Sequence, residues 1–301
     1  KHTQTNTHSR SKRQSKAAFS MTQIAKVLDE ANKEDIQQLS QYLNHAKQPV
    51  VLAGAGINHS KSNDLLTEFV THHQIPVVTT LLGLGAIPYE NPLFLGMGGM
   101  HGSYASNMAL TECDLLINLG SRFDDRLASN PKEFVPNAKV VHIDIDESEI
   151  NKVIPTTLGI VADCKKVLEA LVTEHQSHAT YKEWVDHCLD NKSKHPFKYK
   201  EANDTFCRPQ EAIEYIGKIT NGEAIITTDV GQHQMWSAQF YPFKHHSQWV
   251  TSGGLGTMGF GIPSAIGAQL AAPDKTVICF VGDGGFQMTN QEMALLPEYH
   301  L

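Results

Sequence analysis

Six short, unbroken apolar runs set between helix-like stretches constrain this chain more than any other feature. They are Pro49–Ala53 (PVVLA), Pro76–Thr80 (PVVTT), Asp114–Leu119 (DLLINL), Lys139–Ile145 (KVVHIDI), Glu223–Thr228 (EAIITT) and Thr276–Val281 (TVICFV). A strand with one face in water alternates apolar and polar residues, whereas these runs are apolar nearly throughout. Strands of that kind lie in parallel sheets covered by helices on both faces. The expected class is therefore α/β, with doubly wound parallel sheets. At 301 residues the chain has room for roughly two domains of that sort.

The intervening segments fit the same plan. Helices are expected over Ile24–Asp29, over Asp35–Ala46 with Ile36, Leu39 and Leu43 on one stripe, and over Ser62–His73 with Leu65, Leu66, Phe69 and Val70 turned inward. Another is expected near Tyr104–Glu112, after glycine-rich loops at Leu81–Gly85 and Gly96–Gly102. Segment 176–206 breaks the rhythm and reads as an amphipathic helix followed by a linker. A second alternating unit then starts with a helix at Pro209–Ile219. The boundaries read as 1–21, 22–180, 181–206 and 207–301, the last unit stopping before its sheet is finished. Residues 1–20 hold five basic side chains (Lys1, Arg10, Lys12, Arg13, Lys16), no acidic one and no apolar periodicity. They read as a disordered basic leader or linker, open between a tag, a frayed end and a transit peptide.

The net charge of −7 gives no electrostatic reason to expect a nucleic acid or an anionic membrane as partner. No apolar run reaches the roughly 20 residues that a membrane span needs. Five widely spaced cysteines without a CxxC pair fit reduced thiols in a cytoplasm.

Three glycine-rich segments follow strands. Gly282-Asp283-Gly284-Gly285 succeeds the last apolar run, so a carboxylate arrives at the carboxyl edge of a parallel sheet, where α/β proteins bind ligands. Such a turn either is structural or holds Mg²⁺ beside a phosphate. Thr251–Pro263 is dense in glycine, includes Gly256 and Met258, and enters a small-residue helix at Ser264–Ala272. That is an anion-binding arrangement or a flexible turn. Val230-Gly231-Gln232-His233 follows EAIITT, with Gln232 and His233 either phosphate donors or polar surface. In the first half, Gly120-Ser121-Arg122-Phe123-Asp124-Asp125-Arg126 succeeds a buried strand. Its arginines clamp a pyrophosphate or ribose, or form a surface ion-pair loop. His142, Asp144 and Asp146 alternate along one strand face; a metal site is conceivable there, but a strand-end carboxylate facing cofactor or water is simpler. The pairs His72-His73 and His245-His246 are expected at the surface.

Taken in order, DVGQHQMW, TSGGLGTMGFGIPSAIGA and GDGGFQM resemble the pyrophosphate-binding domain of thiamine-diphosphate enzymes, with wording close to the large catalytic subunit of the acetohydroxyacid (acetolactate) synthase family. RFDDR is similar to the FAD motif of its biosynthetic members. The resemblance implies that Val230, Gly231, Gln232, His233, Gly256, Met258, Gly284 and Gly285 bind thiamine diphosphate, Met258 as the apolar wedge that bends it, and that Asp283 binds Mg²⁺. For FAD it implies Gly54, Gly56, Thr80, Leu81, Leu82, Gly99, Met100, His101, Gly120, Ser121, Arg122, Asp124, Arg126, Asp144, Ile145 and Asp163. Ala162-Asp163 replaces a more usual Gly-Asp, Gly98 stands where many members have a bulkier residue, and Ser121 where Ala is common.

The reaction implied is decarboxylation of pyruvate and transfer of the two-carbon unit to a second 2-keto acid, pyruvate or 2-ketobutyrate, in isoleucine and valine biosynthesis. FAD is structural in this scheme, because substrate and product do not differ in a redox step. No catalytic residue is assigned within these 301 residues. The family's activating glutamate belongs to an N-terminal domain, and an Asn pair beyond the GDG turn completes the metal site, so the chain alone is expected to be inactive. A homodimer or homotetramer, with a regulatory small subunit, is the expected assembly. Glyoxylate carboligase, pyruvate oxidase and a non-catalytic nucleotide-binding module are the rival readings.

Overall fold

The computed structural model describes residues 31–174, 180–200 and 206–301; the leader and the helix expected at Ile24–Asp29 lie outside the described residues. The first unit begins with α1 (Lys33–His45), capped by Asn32, whose side chain accepts the Glu34 N–H at 2.9 Å. Ile36, Leu39 and Leu43 of α1 are fully buried, as their spacing requires. Six parallel strands follow: β1 (Pro49–Ala53), β2 (Val77–Thr79), β3 (Phe94–Met97), β4 (Leu115–Leu119), β5 (Lys139–Asp144) and β6 (Leu158–Val161). They stand in the order β3-β2-β1-β4-β5-β6, so the chain reverses its winding between β1 and β4. β1 and β4 run in register from Pro49 opposite Leu115 to Ala53 opposite Leu119, with every residue of both buried. Two-sided burial is why these runs lack alternation.

The connecting helices are α2 (Ala55–His59), α3 (Asn63–His73), α4 (Tyr104–Glu112), α5 (Cys164–Glu174) and α6 (Lys182–Lys194). Helices α1, α2 and α3 pack with α5, and α4 packs with α6. Helix α6 falls in the stretch expected to lead into a linker, yet it is docked firmly on the first unit. Trp184 and Cys188 are buried, the Tyr181 hydroxyl donates to Leu43 O at 2.7 Å, and Trp184 Nε1 donates to Pro49 O at 3.0 Å. Its apolar stripe is short and lies among charges, which hides the docking from composition.

The second unit contains α7 (Pro209–Ile219), β7 (Ile225–Thr228), α8 (Gln232–Phe240), β8 (Trp249–Thr251), α9 (Gly261–Ala271), β9 (Val277–Phe280), α10 (Asp283–Thr289) and α11 (Leu295–Tyr299). Its three strands are parallel in the order β8-β7-β9. The architecture is thus the mixed α/β arrangement that the apolar runs implied, with six parallel strands in the first sheet and three in the second. Strands β3, β6 and β8 were not foreseen: each has three or four residues, and β3 and β8 lie beside glycine-rich loops. The two units touch, with the Tyr89 N–H donating to Phe243 O at 2.9 Å and Gln239 Nε2 to His101 O at 3.0 Å. No helix among the described residues is long and apolar enough to cross a membrane.

Candidate functional site

At the carboxyl ends of β1 and β4, the strands between which the winding reverses, the backbone comes unusually close to itself. Gly54 N–H donates to Leu119 O at 2.9 Å and Gly56 N–H to Gly120 O at 3.1 Å. A Cβ on Gly54 would lie 2.2 Å from the Gly120 carbonyl oxygen, and one on Gly56 2.7 Å from Gly120 Cα. Gly120 itself takes φ +65°, which a side chain disfavours. These glycines open a crevice at the switch point, the place where doubly wound sheets take their ligands.

The crevice widens into a cavity of about 1100 Å³, at the upper end of small-molecule sites. Its wall takes in Gly56, Thr80, Leu81, Leu82, Met100, His101, Gly120, Ser121, Arg122, Asp124, Arg126, Asp144, Ile145 and Asp163. Every first-unit residue expected at the site is therefore on the wall except Gly54 and Gly99, which act behind it. Gly54 sets the β1–β4 approach. Gly99 sits at φ +97° against the Arg126 carbonyl, with its N–H held by Asn107 Oδ1 at 2.8 Å and the neighbouring Met100 N–H donating to Arg126 O at 2.8 Å. This ties the loop at 96–102 to the RFDDR loop. Asn107 was not anticipated, and nothing in its local sequence marks it. Gly98 is also on the wall, but a Cβ there would meet Leu110 and Val78 at 2.9 Å, so this core is shaped to exclude a larger residue.

The alternative of an ion-pair loop at RFDDR does not match the structure. Asp124 Oδ1 accepts the N–H groups of Arg126 and Leu127 at 3.1 Å each, and among the described residues neither Arg122 nor Arg126 forms an ion pair. Both arginines line the cavity without a carboxylate partner among the described residues. Of the alternating trio on β5, only His142 and Asp144 share the strand. They approach at 3.8 Å, while exposed Asp146 lies past its end and caps the turn at 147–149. No cluster of three metal-ligating side chains occurs among the described residues. His245 and His246 are exposed as expected, and so is His72; His73 is a correction, being only 7% exposed, because the inward face of α3 takes it beside Phe69.

The second unit reaches the same space. Val230, Gly231, Gln232 and Gly256 line the cavity, with Ser252, Gly253, Gly254 and Leu255. A Cβ on Gly253 would lie 2.7 Å from Leu82, and one on Gly254 3.8 Å from the Arg122 guanidinium. His233, Met258, Asp283, Gly284 and Gly285 lie outside this wall and form a second group around the turn that opens α10. Asp283 is exposed, with its carboxylate accepting, among the described residues, the Gly284 N–H alone, at 2.9 Å. Met258 is half-exposed, its methyl 3.6 Å from where a Cβ of Gly284 would be. His233 is wedged beside Gly231 and Gly282, with Nε2 buried and, among the described residues, without a hydrogen-bond partner. Burial pushes its imidazole below the ordinary 6.5, while the charge of Asp229 pulls the other way.

Family models match on both halves: the thiamine pyrophosphate enzyme central domain over residues 36–171, and the C-terminal TPP binding domain over residues 229–301. The chain belongs to the thiamine pyrophosphate enzymes. Within that family it is similar to the acetolactate synthase large subunit of Lactococcus lactis subsp. lactis (strain IL1403), 55% identical over 90% of this chain and 47% of that protein. It is 44% identical to the acetolactate synthase isozyme 1 large subunit of Escherichia coli K12, over 90% of this chain and 47% of the relative. It is 43% identical to the chloroplastic acetolactate synthase 1 of Nicotiana tabacum, over 88% and 40%. The chain thus spans about half the length of the curated relatives it matches. In this thiamine pyrophosphate enzyme, the boundary between matched segments falls around α6 and α7, close to the break in rhythm at 181–206.

Proposed function

We propose that these residues are the cofactor-holding part of an acetolactate synthase large subunit, residues 22–180 forming a flavin domain and 207–301 a thiamine diphosphate domain. The observation that carries this reading is the shared cavity: its wall joins the β1–β4 crevice to the Val230–Gln232 and Gly253–Gly256 turns.

The residues present fit FAD. Glycines at positions 54, 56 and 120 clear the backbone at the switch point, Arg122 and Arg126 offer unpaired guanidinium groups to a pyrophosphate, and Asp144 and Asp163 stand at the ends of β5 and β6 for polar contacts. They also fit thiamine diphosphate with Mg²⁺. The first turn of α8 follows Gly231 with no side-chain cap, which leaves N–H groups for phosphate oxygens. Exposed, unpaired Asp283 at the start of α10 is a hard oxygen ligand suited to a Mg²⁺ that also takes phosphate oxygens. Met258, half-exposed above Gly284, is an apolar support.

Thiamine diphosphate, when bound, supplies the electron sink for decarboxylating a 2-keto acid. This chain's residues hold its diphosphate end at the α8 and α10 turns and give the shared cavity an apolar side at Leu81, Leu82 and Met235. FAD in this scheme is a structural filler. Pyruvate, with pyruvate or 2-ketobutyrate as second substrate, belongs to the whole protein. So do a homodimeric or homotetrameric assembly, a small regulatory subunit, for which the relatives' "large subunit" names speak, and a cytoplasmic setting.

Two measurements test the reading. FAD titrated into the 301-residue chain should bind saturably with quenched fluorescence. The full-length protein should form acetolactate from pyruvate only with thiamine diphosphate and Mg²⁺ present. Absence of saturable flavin binding would favour a decayed nucleotide module, and a different product from pyruvate or glyoxylate would favour a sibling enzyme.

A further inference from the structure

Asp229 follows β7 with no exposed surface, its N–H donating to Phe280 O of β9 at 3.0 Å. One carboxylate oxygen accepts the N–H of Val230 at 2.8 Å and of Gly259 at 3.1 Å; the other accepts the N–H of Gly261 at 2.9 Å. Among the described residues it forms no ion pair. A buried carboxylate is tolerated only where donors replace water. Here they come from two separate segments, one of them the first turn of α9, whose dipole favours a negative charge. A third segment rests on the same group, since a Cβ on Gly285 would lie 2.5 Å from the carboxyl carbon. Thr289 adds a link by donating its hydroxyl to Gly259 O at 3.1 Å.

The segments gathered in this way carry Val230, Met258 and Asp283, which are not neighbours in sequence. We propose that Asp229 is the positioning residue of the diphosphate site, clipping the β7–α8 turn, the glycine loop before α9 and the first turn of α10 into one register. It acts through those three residues and touches no cofactor atom itself. The inference rests on reading the second unit as the thiamine diphosphate site.

The test uses the full-length protein, with thiamine diphosphate titrated into apoprotein in excess Mg²⁺ and followed by tryptophan fluorescence, and flavin affinity measured in parallel. D229N keeps the side-chain volume but turns one acceptor into an amide donor facing a backbone N–H. It should weaken thiamine diphosphate binding by about tenfold or more and change flavin affinity much less, because most of the shared wall, from Ala55 to Cys164, lies in the other unit. G285A should give the same selective loss without altering the carboxylate. In turnover, the defect should raise the half-saturating concentration of thiamine diphosphate. Either variant binding thiamine diphosphate as tightly as the parent overturns the proposal. So does a parallel loss of flavin affinity with a lowered melting temperature, which would mark a general core role. A parent protein that binds no thiamine diphosphate removes the site assignment, and the clip with it.

Discussion

Two glycine-to-alanine substitutions should act in opposite directions, and the contrast follows from what each added methyl meets. At Gly54 the nearest atoms are the Gly120 carbonyl oxygen at 2.2 Å, its carbon at 2.6 Å and Ser121 Cβ at 2.7 Å. Two of these are backbone, so no rotamer change relieves the contact. To reach the 3.0 Å below which real Cβ contacts essentially never occur, the ends of β1 and β4 must separate by about 0.8 Å. Overpacking of this kind costs about 1–3 kcal/mol. The same displacement stretches the Gly54–Leu119 and Gly56–Gly120 hydrogen bonds, each worth about 0.5–1.5 kcal/mol. The expected loss is about 2–6 kcal/mol, or a fall of roughly 5–20 °C in the melting temperature of a unit this size. Flavin affinity should fall with it, because the crevice is the cavity floor. At Gly267, in the middle of α9, nothing lies within 4 Å. There alanine should stabilise by about 0.5–1 kcal/mol through helix propensity alone. Calorimetry and flavin titration on both variants give the comparison. A G54A chain that melts within about 1 °C of the parent and binds flavin equally well would refute the close-approach argument.

Other outcomes follow from the same contacts. R122A and R126A should each weaken flavin binding by about tenfold, more at low salt, with unchanged thermal stability, since neither guanidinium is paired among the described residues; flavin titration at two ionic strengths decides it. W184F removes the bond to Pro49 O and should cost about 1–3 kcal/mol in urea unfolding, and W184A about 3–5 kcal/mol. Burial pushes the Cys113 and Cys188 thiols up from 9.0 to about 12, so above pH 9 the unfolded chain loses protons that the folded chain keeps. Their contribution is fully present below pH 9 and should fall by roughly 1.4 kcal/mol per pH unit for each thiol as pH rises towards 12; unfolding free energies from pH 8 to 11 measure this. At neutral pH, exposed Cys207 should react with iodoacetamide well before buried Cys113, Cys164 and Cys188, as peptide mapping would show.

What the sequence revealed depended on how local each cause was. The first sheet was legible because two-sided burial leaves its signature inside five residues, as in PVVLA, whereas the close approach at Gly54, Gly56 and Gly120 joins strands some sixty residues apart, and these glycines were placed at a site only through the family resemblance. His73 was misjudged because its burial depends on how α3 is rotated against the sheet, which two adjacent histidines do not report. Asn107 was invisible for a related reason: its partner is the backbone of Gly99, and a backbone group leaves no trace in sequence. The two aspartates of the second unit separate the cases most clearly. EAIITT-Asp-Val-Gly and TVICFV-Gly-Asp-Gly share one pattern, an apolar strand, then a carboxylate, then glycine. Both segments stand out in the sequence, but only the second carboxylate is read as a metal ligand, because glycines flank it on both sides. The structure exposes Asp283, as a metal ligand would need, and buries Asp229 on three backbone N–H groups. A carboxylate just past a strand end is thus exposed in one turn and buried in the other. The difference lies in Gly259 and Gly261, some thirty residues downstream, whose N–H groups reach back to the first strand of the unit.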